Sequence, residues 1–376
     1  MASSTQNHQQ LFPTVNGTTS APPPTPNFTS TSDSAATDLL SRLLHRLPPT
    51  LSNNPLLLRR RSSLATTTTS PSVIPFPDLN SSLSTALPSV SELGFFQLTN
   101  HSIPSELARA AESDSLSLLN LPRHLKHQYF PRSWPLGFDD DDEEEDTGAG
   151  ESLFLDSSCS TDASELSMSS LREFTREMEK IGLAVVEALL CAMGLQNQAR
   201  DDSAGFCSLM WVSNSSDSPD DKLIGSGKFY PYVVGLHYQF RSQSCSLLAD
   251  PGWVSVSSQM DSILVTLGDI AQVWSNGKLR KVRGKPALSM EEGNNSSSLS
   301  MSLLVTLPLE STVSPLNSRM AISNHGDNGD RENSNQDGDC EIEEVNSFNS
   351  FSFEDYAWRV YHDRVPLKDP LDRYRI

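Results

Sequence analysis

The chain has 376 residues, a formal net charge of -19 and a pI near 4.7. Because nucleic-acid backbones and anionic lipid surfaces attract basic proteins, this charge excludes general binding to nucleic acid or to an anionic membrane. Hydrophobic residues make up 36% of the chain, a low fraction for a fully folded protein, so we expect part of it to be unstructured. The sequence contains no run of about 18 or more apolar residues, and no membrane span is therefore expected.

The five cysteines are odd in number and form no Cys-x-x-Cys pair. This usage is typical of a reducing compartment without a disulfide framework. The chain starts without an apolar secretory signal, which predicts a cytoplasmic location. A plastid location is the alternative, because residues 1 to 70 are rich in Ser and Thr, poor in acidic residues, and contain Arg59-Arg60-Arg61.

The first part of the chain combines a polar tail with short structured segments. Residues 1 to 37 are dominated by Ser, Thr, Pro and Asn without apolar periodicity, which predicts a disordered tail. The segment Val73 to Leu79 is apolar and punctuated by proline, which favours an edge strand. Gly94 to Thr99 predicts a second strand, followed by a helix whose first turn contains Pro104. Residues 139 to 146 are eight consecutive carboxylates, which predict a solvated insertion because like charges repel.

The second part predicts one long helix and then a series of strands. Apolar residues recur every three or four positions from Ser164 to Met193, with Ser164 as the expected N-cap, which indicates a helix that backs a sheet. Short apolar runs bounded by turn residues follow, and they predict the strands of a double-sheet jelly roll: Leu209–Val212, Tyr232–Tyr238, Trp253–Val256, Ile263–Leu267 and Met301–Leu307. Residues 310 to 350 return to a polar composition that predicts disorder.

Several segments resemble motifs of a known family, and they follow one another in the same order as in that family. Gly94 to Pro104, Leu264 to Gly277, Leu299 to Leu304 and Tyr356 to Ile376 are similar to motifs of the plant-type 2-oxoglutarate and Fe(II)-dependent dioxygenases, the isopenicillin N synthase-like group. The resemblance implies an α+β, mostly β fold with a double-stranded β-helix (jelly-roll) core, an N-terminal helical region and the long backing helix.

Within that fold, the resemblance implies an N-terminal helical and strand region at 71–200, with the acidic insertion at 139–146. The resemblance also implies a jelly-roll domain at 201–309 and a C-terminal helix and tail at 351–376.

The same resemblance assigns the positions of an iron centre. Such enzymes hold Fe(II) with two histidines and one carboxylate. His237 matches the first histidine, while Gln239 stands at the position of the carboxylate. Gly284 falls at the position of the second histidine when the chain is aligned without gaps from Asn276-Gly277. The family binds the distal carboxylate of 2-oxoglutarate with an arginine two residues before a serine, and here Ser298 and Ser300 occupy those positions.

These replacements predict a catalytically impaired protein, although an active enzyme is not excluded from the sequence. Arg283 and Lys285 beside the former iron site would make it cationic, suiting a small anionic ligand, and a protein is the other expected partner. One alternative is an active oxidoreductase with a non-standard metal site, using Fe(II) and 2-oxoglutarate, with His237 as its one retained ligand. The other is an interaction scaffold using the acidic loop and disordered tails. The expected protein is a monomer that binds neither nucleic acid nor membrane.

Overall fold

The computed structural model describes residues 67–139, 151–160, 166, 168–195, 205–215, 230–250, 252–288, 298–316, 347–362 and 369–376. The predicted tail at 1–37, most of the acidic insertion and the central part of the 310–350 segment lie outside these residues. For Lys285 and Ser298, only the backbone is described. No helix among the described residues is long and apolar enough to cross a membrane.

The described residues form a large, mainly antiparallel sheet of eight strands in the spatial order β2-β3-β10-β7-β12-β6-β5-β4. Its strands are β2 Val73–Pro75, β3 Phe95–Thr99, β4 Gly137–Asp139, β5 Ser152–Asp156, β6 Cys207–Ser215, β7 Val234–Gln239, β10 Ser262–Leu267 and β12 Ser298–Thr306. Only the β2–β3 pair is parallel. The predicted edge position of Val73 is confirmed, although the strand ends at Pro75.

A smaller sheet has the order β1-β9-β8-β11. It consists of β1 Thr67–Thr69, β8 Gln243–Ala249, β9 Gly252–Ser258 and β11 Val282–Leu288. An apolar cluster joins the two sheets, because Phe95 and Leu264 of the large sheet are buried together with Cys245, Leu247, Ala249, Val254, Val256 and Val282 of the small one. Two facing sheets with this packed interior form the predicted jelly-roll core.

The opposite face of the large sheet is covered by helices α1 Leu79–Leu93, α2 Ser105–Leu119 and α4 Ser169–Ala192, and a short α3 spans Arg123–Tyr129. The apolar residues of α4 that set its predicted period are all buried: Leu171, Phe174, Met178, Ile181, Val185 and Leu189. Each such side chain contributes about 1.5 to 3 kcal/mol on burial. The helix therefore backs the sheet as predicted, but it begins at Ser169 and its N-cap residue is Met168. Ser164, the predicted cap, lies outside the described residues.

The close approach of α4 to the sheet depends on Gly182. A Cβ atom at this position would lie 2.6 Å from Cγ2 of Val305 on β12 and 3.3 Å from Cδ1 of Leu236 on β7. Glycine therefore allows the helix to lie directly on the two central strands that carry the site residues.

The C-terminal part consists of α5 Asp269–Trp274, the small sheet β13 Thr312–Val313 with β14 Phe351–Ser352, helix α6 Phe353–His362, and a 3-10 turn at Pro370–Tyr374. The predicted disorder of residues 310 to 350 is wrong at both ends. Val313 and Phe348 are buried, and Val313 pairs with Phe351. Single apolar residues in a polar stretch have no periodicity, which is why the sequence pattern misses their burial.

The boundary expected between 71–200 and 201–309 crosses the large sheet. Strand β5 from the first range pairs with β6 from the second, and β3 pairs with β10. The described parts of both ranges therefore share one sheet and one core.

Candidate functional site

Strand β7 places the site residues by its alternation, since successive side chains of a strand point to opposite faces. Tyr238 faces the helices, where its ring contacts that of Phe174 at 5.3 Å between centroids. His237 and Gln239 face the jelly-roll interior and line one cleft there with Pro286 of β11. The resemblance therefore placed these two side chains on the correct face.

His237 is fixed by hydroxyl groups from the strands on either side of it. Its Nδ1 atom lies 2.7 Å from Oγ of Ser302 on β12, and its Nε2 atom lies 3.0 Å from Oγ1 of Thr266 on β10. The residue is 2% exposed. Both ring nitrogens of this buried imidazole thus contact neutral hydroxyl groups of the protein.

The contact between His237 and Thr266 depends on a small residue beside them. A Cβ atom on Gly235 would lie 2.8 Å from Oγ1 of Thr266 and 3.1 Å from Nε2 of His237. Any larger residue would push against this hydrogen bond. Glycine at this interior position therefore permits the pairing of the imidazole with the threonine.

The network continues from Thr266 to strand β11 through Tyr232. The Tyr232 hydroxyl lies 3.2 Å from Oγ1 of Thr266, and it donates to the carbonyl oxygens of Val282 at 2.9 Å and Gly284 at 3.3 Å. Burial raises the pKa of Tyr232 well above its usual value, so the phenol stays protonated and can donate. His237 and Gly284, which the resemblance placed in one site, are therefore connected through two side chains.

Gly284 lacks the side chain of an iron ligand, and its backbone conformation is also one that a histidine would adopt only under strain. Its φ is +70°, in the left-handed region that favours glycine. Strand β11 also shifts register against β8 between Arg283 and Ala287. The position expected for the second histidine therefore lies at a bulge that a residue with a Cβ atom would strain.

Gln239 is buried, with 3% of its surface exposed. Its Nε2 donates to the carbonyl oxygen of His237 at 3.0 Å, while Oε1 has no hydrogen-bond partner among the described residues. The cleft beside it is lined also by Ser300, Leu299 and Arg241, and it has room for about one water molecule. One of the two cosubstrate positions, Ser300, thus lies at this cleft.

Arg283 does not give the site the unbalanced positive charge expected from the sequence. One of its guanidinium nitrogens lies 3.5 Å from Oδ2 of Asp369. The Lys281 ammonium group, whose side chain is fully buried, lies 2.5 Å from Asp369 and 2.5 Å from Asp269. Acidic side chains from α5 and the C-terminal tail therefore balance the cations of this segment.

We call Lys281, Asp269 and Asp369 the lysine cluster. Burial alone would raise the pKa of Asp369, but the Lys281 ammonium, the Leu371 backbone N–H and Arg283 outweigh it and lower that pKa. The sequence analysis missed this cluster. Its one signal was a lysine between the apolar residues Leu279 and Val282, and no pattern linked it to an aspartate near the C-terminus.

Comparison with curated proteins yields plant oxidases. The chain is 23% identical over 247 residues to gibberellin 2-beta-dioxygenase 2 of Arabidopsis thaliana, covering 60% of this chain and 71% of that protein. It is 28% identical over 218 residues to 1-aminocyclopropane-1-carboxylate oxidase 3 of Cucumis melo, covering 54% of this chain and 67% of that protein. No family model matches the chain.

Solved structures give the same result for the fold. The crystal structure of JOX2 in complex with 2OG, Fe and JA superposes with a TM-score of 0.61 at 15% identity, covering 84% of this chain and 92% of JOX2. The rice dioxygenase for auxin oxidation also gives 0.61, at 16% identity, covering 81% of this chain and 99% of that one. In sequence and in fold the chain is similar to 2-oxoglutarate and Fe(II)-dependent dioxygenases, and both comparisons support that superfamily. Fe(II) and 2-oxoglutarate are the cofactors of this superfamily.

The donor set of this dioxygenase-fold protein does not fit Fe(II). A defined iron centre needs three protein ligands that converge with open positions on the metal. No group of three His, Cys, Asp or Glu side chains that could hold a metal occurs in the described part of the chain. His237 contacts hydroxyls through both nitrogens, Gln239 carries no charge, and Gly284 has no side chain.

The residues present do not fit 2-oxoglutarate either. Its distal carboxylate would need a cation at the position of Ser298, which offers at most a hydroxyl group. The cleft at Gln239 and Ser300 has room for about one water molecule, far less than a five-carbon dicarboxylate occupies. Of the positions assigned from the sequence, His237 and Gly284 belong to the hydrogen-bond network through Thr266 and Tyr232, and Gln239 and Ser300 line the cleft. The side chain of Lys285 lies outside the described residues.

Proposed function

We propose that this member of the dioxygenase superfamily acts by binding a partner rather than by oxidation, and that its former iron site is a structural hydrogen-bond network. The observation that carries the proposal is the pairing of both His237 ring nitrogens with Ser302 and Thr266. To bind iron, the imidazole would have to give up at least one of these buried bonds. Each costs about 1 to 3 kcal/mol when a buried polar group is left unpaired.

The charges at the site support the same proposal. An aspartate at the position of Gln239 would offset part of the positive charge of Fe(II), and a neutral amide cannot. A buried neutral glutamine costs less than an unpaired buried carboxylate would. The substitution therefore suits a site that stays free of metal.

The interior packing favours a protein as the partner over a small anionic ligand. Phe95, Leu264 and the apolar residues of the small sheet pack together between the sheets. A small-molecule site needs an open cavity of roughly 300 Å³ or more, lined by apolar groups with a few polar ones. The water-sized cleft at Gln239 does not offer this, and Arg283 is balanced by Asp369.

The test is anaerobic addition of Fe(II) and 2-oxoglutarate to purified, tag-free protein, with the metal-to-ligand charge-transfer absorption as the readout. Wild-type protein and the His237→Ala variant are expected to give the same spectrum, without a band. His362→Ala is the matched control, because His362 is an exposed histidine on α6 and reports adventitious iron at the surface. A gibberellin 2-beta-dioxygenase serves as the positive control.

A band that is lost in His237→Ala and kept in His362→Ala would overturn the proposal. The protein would then be the active oxidoreductase with a non-standard metal site, and conversion of 2-oxoglutarate to succinate under air would be the next assay. Since the hydroxyl pairing would have to open for iron to bind, the Ser302→Ala variant should strengthen such a band.

A further inference from the structure

A buried histidine connects two tight turns at one end of the large sheet. His101, which is 6% exposed, follows strand β3, and its Nε2 atom lies 3.0 Å from the carbonyl oxygen of Asp261 in the β9–β10 turn, residues 259–261. Its Nδ1 atom accepts a hydrogen bond from the backbone nitrogen of Ile103 at 3.2 Å. The imidazole therefore holds the segment after β3 and the β9–β10 turn together.

The two backbone partners fix the protonation state of His101. A carbonyl oxygen only accepts hydrogen bonds, so Nε2 must carry a hydrogen, and a backbone N–H only donates, so Nδ1 must be unprotonated. The neutral imidazole with its hydrogen on Nε2 is thus the one form that satisfies both contacts. Protonation of Nδ1 would place two donors face to face and break the hydrogen bond with Ile103.

Titratable groups reach this region from the β9–β10 turn, from β7 and from α2. Oδ1 of Asp261 accepts a hydrogen bond from the Tyr238 hydroxyl at 3.2 Å, and the Tyr238 ring contacts the His101 ring at 5.5 Å between centroids. Burial raises the pKa of Tyr238, and the positive charge of Arg109 on α2 only partly opposes this. Burial lowers the pKa of His101 from 6.5, and the carbonyl oxygen and carboxylate of Asp261 again oppose it only in part. Desolvation therefore outweighs the attraction of the carboxylate, and the ring stays neutral while it is buried.

Both turns have strained backbones. Asn100 and Ser102, on either side of the histidine, have φ of +54° and +65°, and Asp261 has φ of +54°. Residues other than glycine rarely adopt this left-handed region. The β9–β10 turn has a further anchor, because the Asp261 backbone N–H donates to the carbonyl oxygen of Gln239 at 2.8 Å. When the histidine contacts are lost, the turn therefore stays in place and residues 100–103 are the side that moves.

We propose that His101 is an acid-sensitive latch, which holds residues 100–103 against the β9–β10 turn and releases them when its ring takes up a proton from solvent. The proton binds at Nδ1, the Ile103 N–H loses its acceptor, and the charged ring moves out into water, which breaks the contact with Asp261. Release uncovers the side of the Tyr238 ring that His101 contacts and leaves the sheet intact. The latch acts apart from the former iron site, so it holds whether or not that site binds metal.

The experiment measures hydrogen exchange of the Ile103 amide in the full-length protein between about pH 7.5 and 5, by mass spectrometry and with rates corrected for the intrinsic effect of pH. Because the open form binds one proton more than the closed form, opening should increase by up to about tenfold per pH unit below about 6.5. Amides of the central strand β10 should keep their protection. Equal protection of Ile103 across this range would overturn the proposal. An equal loss of protection in β10 would overturn it as well, since acid would then unfold the whole sheet.

The His101→Asn variant separates the latch from other effects of acid. Asparagine keeps a hydrogen-bond acceptor near the position of Nδ1 but stays neutral, so exchange at Ile103 should not change with pH, whatever its rate at neutral pH. His124→Asn is the matched control, because His124 is an exposed histidine on α3, and it should respond to acid as wild type does. If His101→Asn kept the full acid response, another group would be the sensor and the proposal would be wrong.

The Asp261→Asn variant tests the direction of the effect while the histidine stays in place. Asparagine tolerates the φ of +54° at this exposed position and can still accept a hydrogen bond from Tyr238, but it carries no charge. Its carboxylate is one of the groups that raise the pKa of His101, so opening should begin at a lower pH than in wild type. An onset at higher pH would contradict the assignment of His101 as the group that is protonated.

Discussion

The protein has two buried polar clusters that differ in charge. Around His237, hydroxyl groups of Ser302, Thr266 and Tyr232 form a neutral network at the positions where the superfamily holds iron. In the lysine cluster, a fully buried ammonium group lies between two carboxylates. A buried charge is tolerated only where an opposite charge accompanies it. The first cluster pairs an imidazole with hydroxyl groups, and the second pairs an ammonium group with carboxylates.

The largest effect should come from breaking the charged cluster. Lys281→Ala would remove the buried cation between Asp269 and Asp369 and leave Asp369 with only the more distant Arg283 and Arg375, and we expect a loss of about 3 to 5 kcal/mol in the free energy of unfolding. Urea denaturation measures it. Lys180→Ala is the matched control, because Lys180 pairs with Glu177 at 2.7 Å on an exposed helix face, where a pair contributes about 0 to 1 kcal/mol. Equal losses in the two variants would show that the lysine cluster is not a stabilising ion pair.

Acid should weaken the charged cluster. The folded-state pKa of Asp369 is lowered, so its contribution is complete above the unfolded-state pKa near 4 and is lost as pH falls through the folded-state value. The Asp369→Asn variant should therefore be less stable than wild type at neutral pH. The difference should shrink as the pH falls below about 4. A difference that stays constant from pH 7 to pH 2 would contradict the assignment.

The neutral network should lose less when one hydroxyl is removed. Ser302→Ala or Thr266→Val would leave one His237 nitrogen without its partner, at an expected cost of about 1 to 3 kcal/mol in the free energy of unfolding. Ser115→Ala is a control for a buried hydroxyl, since Ser115 contacts only the sulfur of Met301, at 3.5 Å, in the described hydrogen bonds. If thermal denaturation showed that Ser115→Ala loses as much stability as the other two variants, the hydrogen bonds to the His237 imidazole would not explain their loss.

The smallest expected change concerns the backbone at Gly284. Gly284→Ala should cost about 1 to 2 kcal/mol, because φ at this residue is +70°. Gly205→Ala is the control, since a Cβ atom there meets no atom within 4 Å and its φ is not in the left-handed region. If both substitutions were neutral in urea denaturation, the bulge in β11 would be able to accept a side chain, including a histidine.

The fold was predictable wherever apolar periodicity was strong. The stripe from Leu171 to Leu189 identified α4, and the apolar runs identified β7, β10 and β12. Helix α1 was missed because its sequence is rich in Ser and contains Pro88, so only Leu79, Leu83 and Val90 of it are buried. Strands β8 and β11 were missed because Ser, Lys and Pro interrupt their apolar residues.

The sequence predicted which positions to assign to the candidate site, but not the hydrogen-bond partners of the side chains there. The resemblance located His237, Gln239 and Gly284, because motif spacing along two strands is a local property of the sequence. The hydroxyl partners of His237 come from residues 29 and 65 positions away, and no pattern in the sequence connects them. The ion pair of Arg283 could not be predicted for the same reason, since its partner Asp369 lies in the C-terminal tail.

The sequence by itself determined the strand that carries His237 and the residue types at the positions that the resemblance assigns to iron, since these depend on residue type and local order. The tertiary structure decided which hydroxyls contact the imidazole, which acids balance Lys281 and Arg283, and how small the cleft at Gln239 is. It also placed His101 beside the backbone of Asp261. Each of these depends on strand pairing and on packing between distant segments, where a hydrogen bond or an ion pair forms only if the fold brings both groups within a few ångströms.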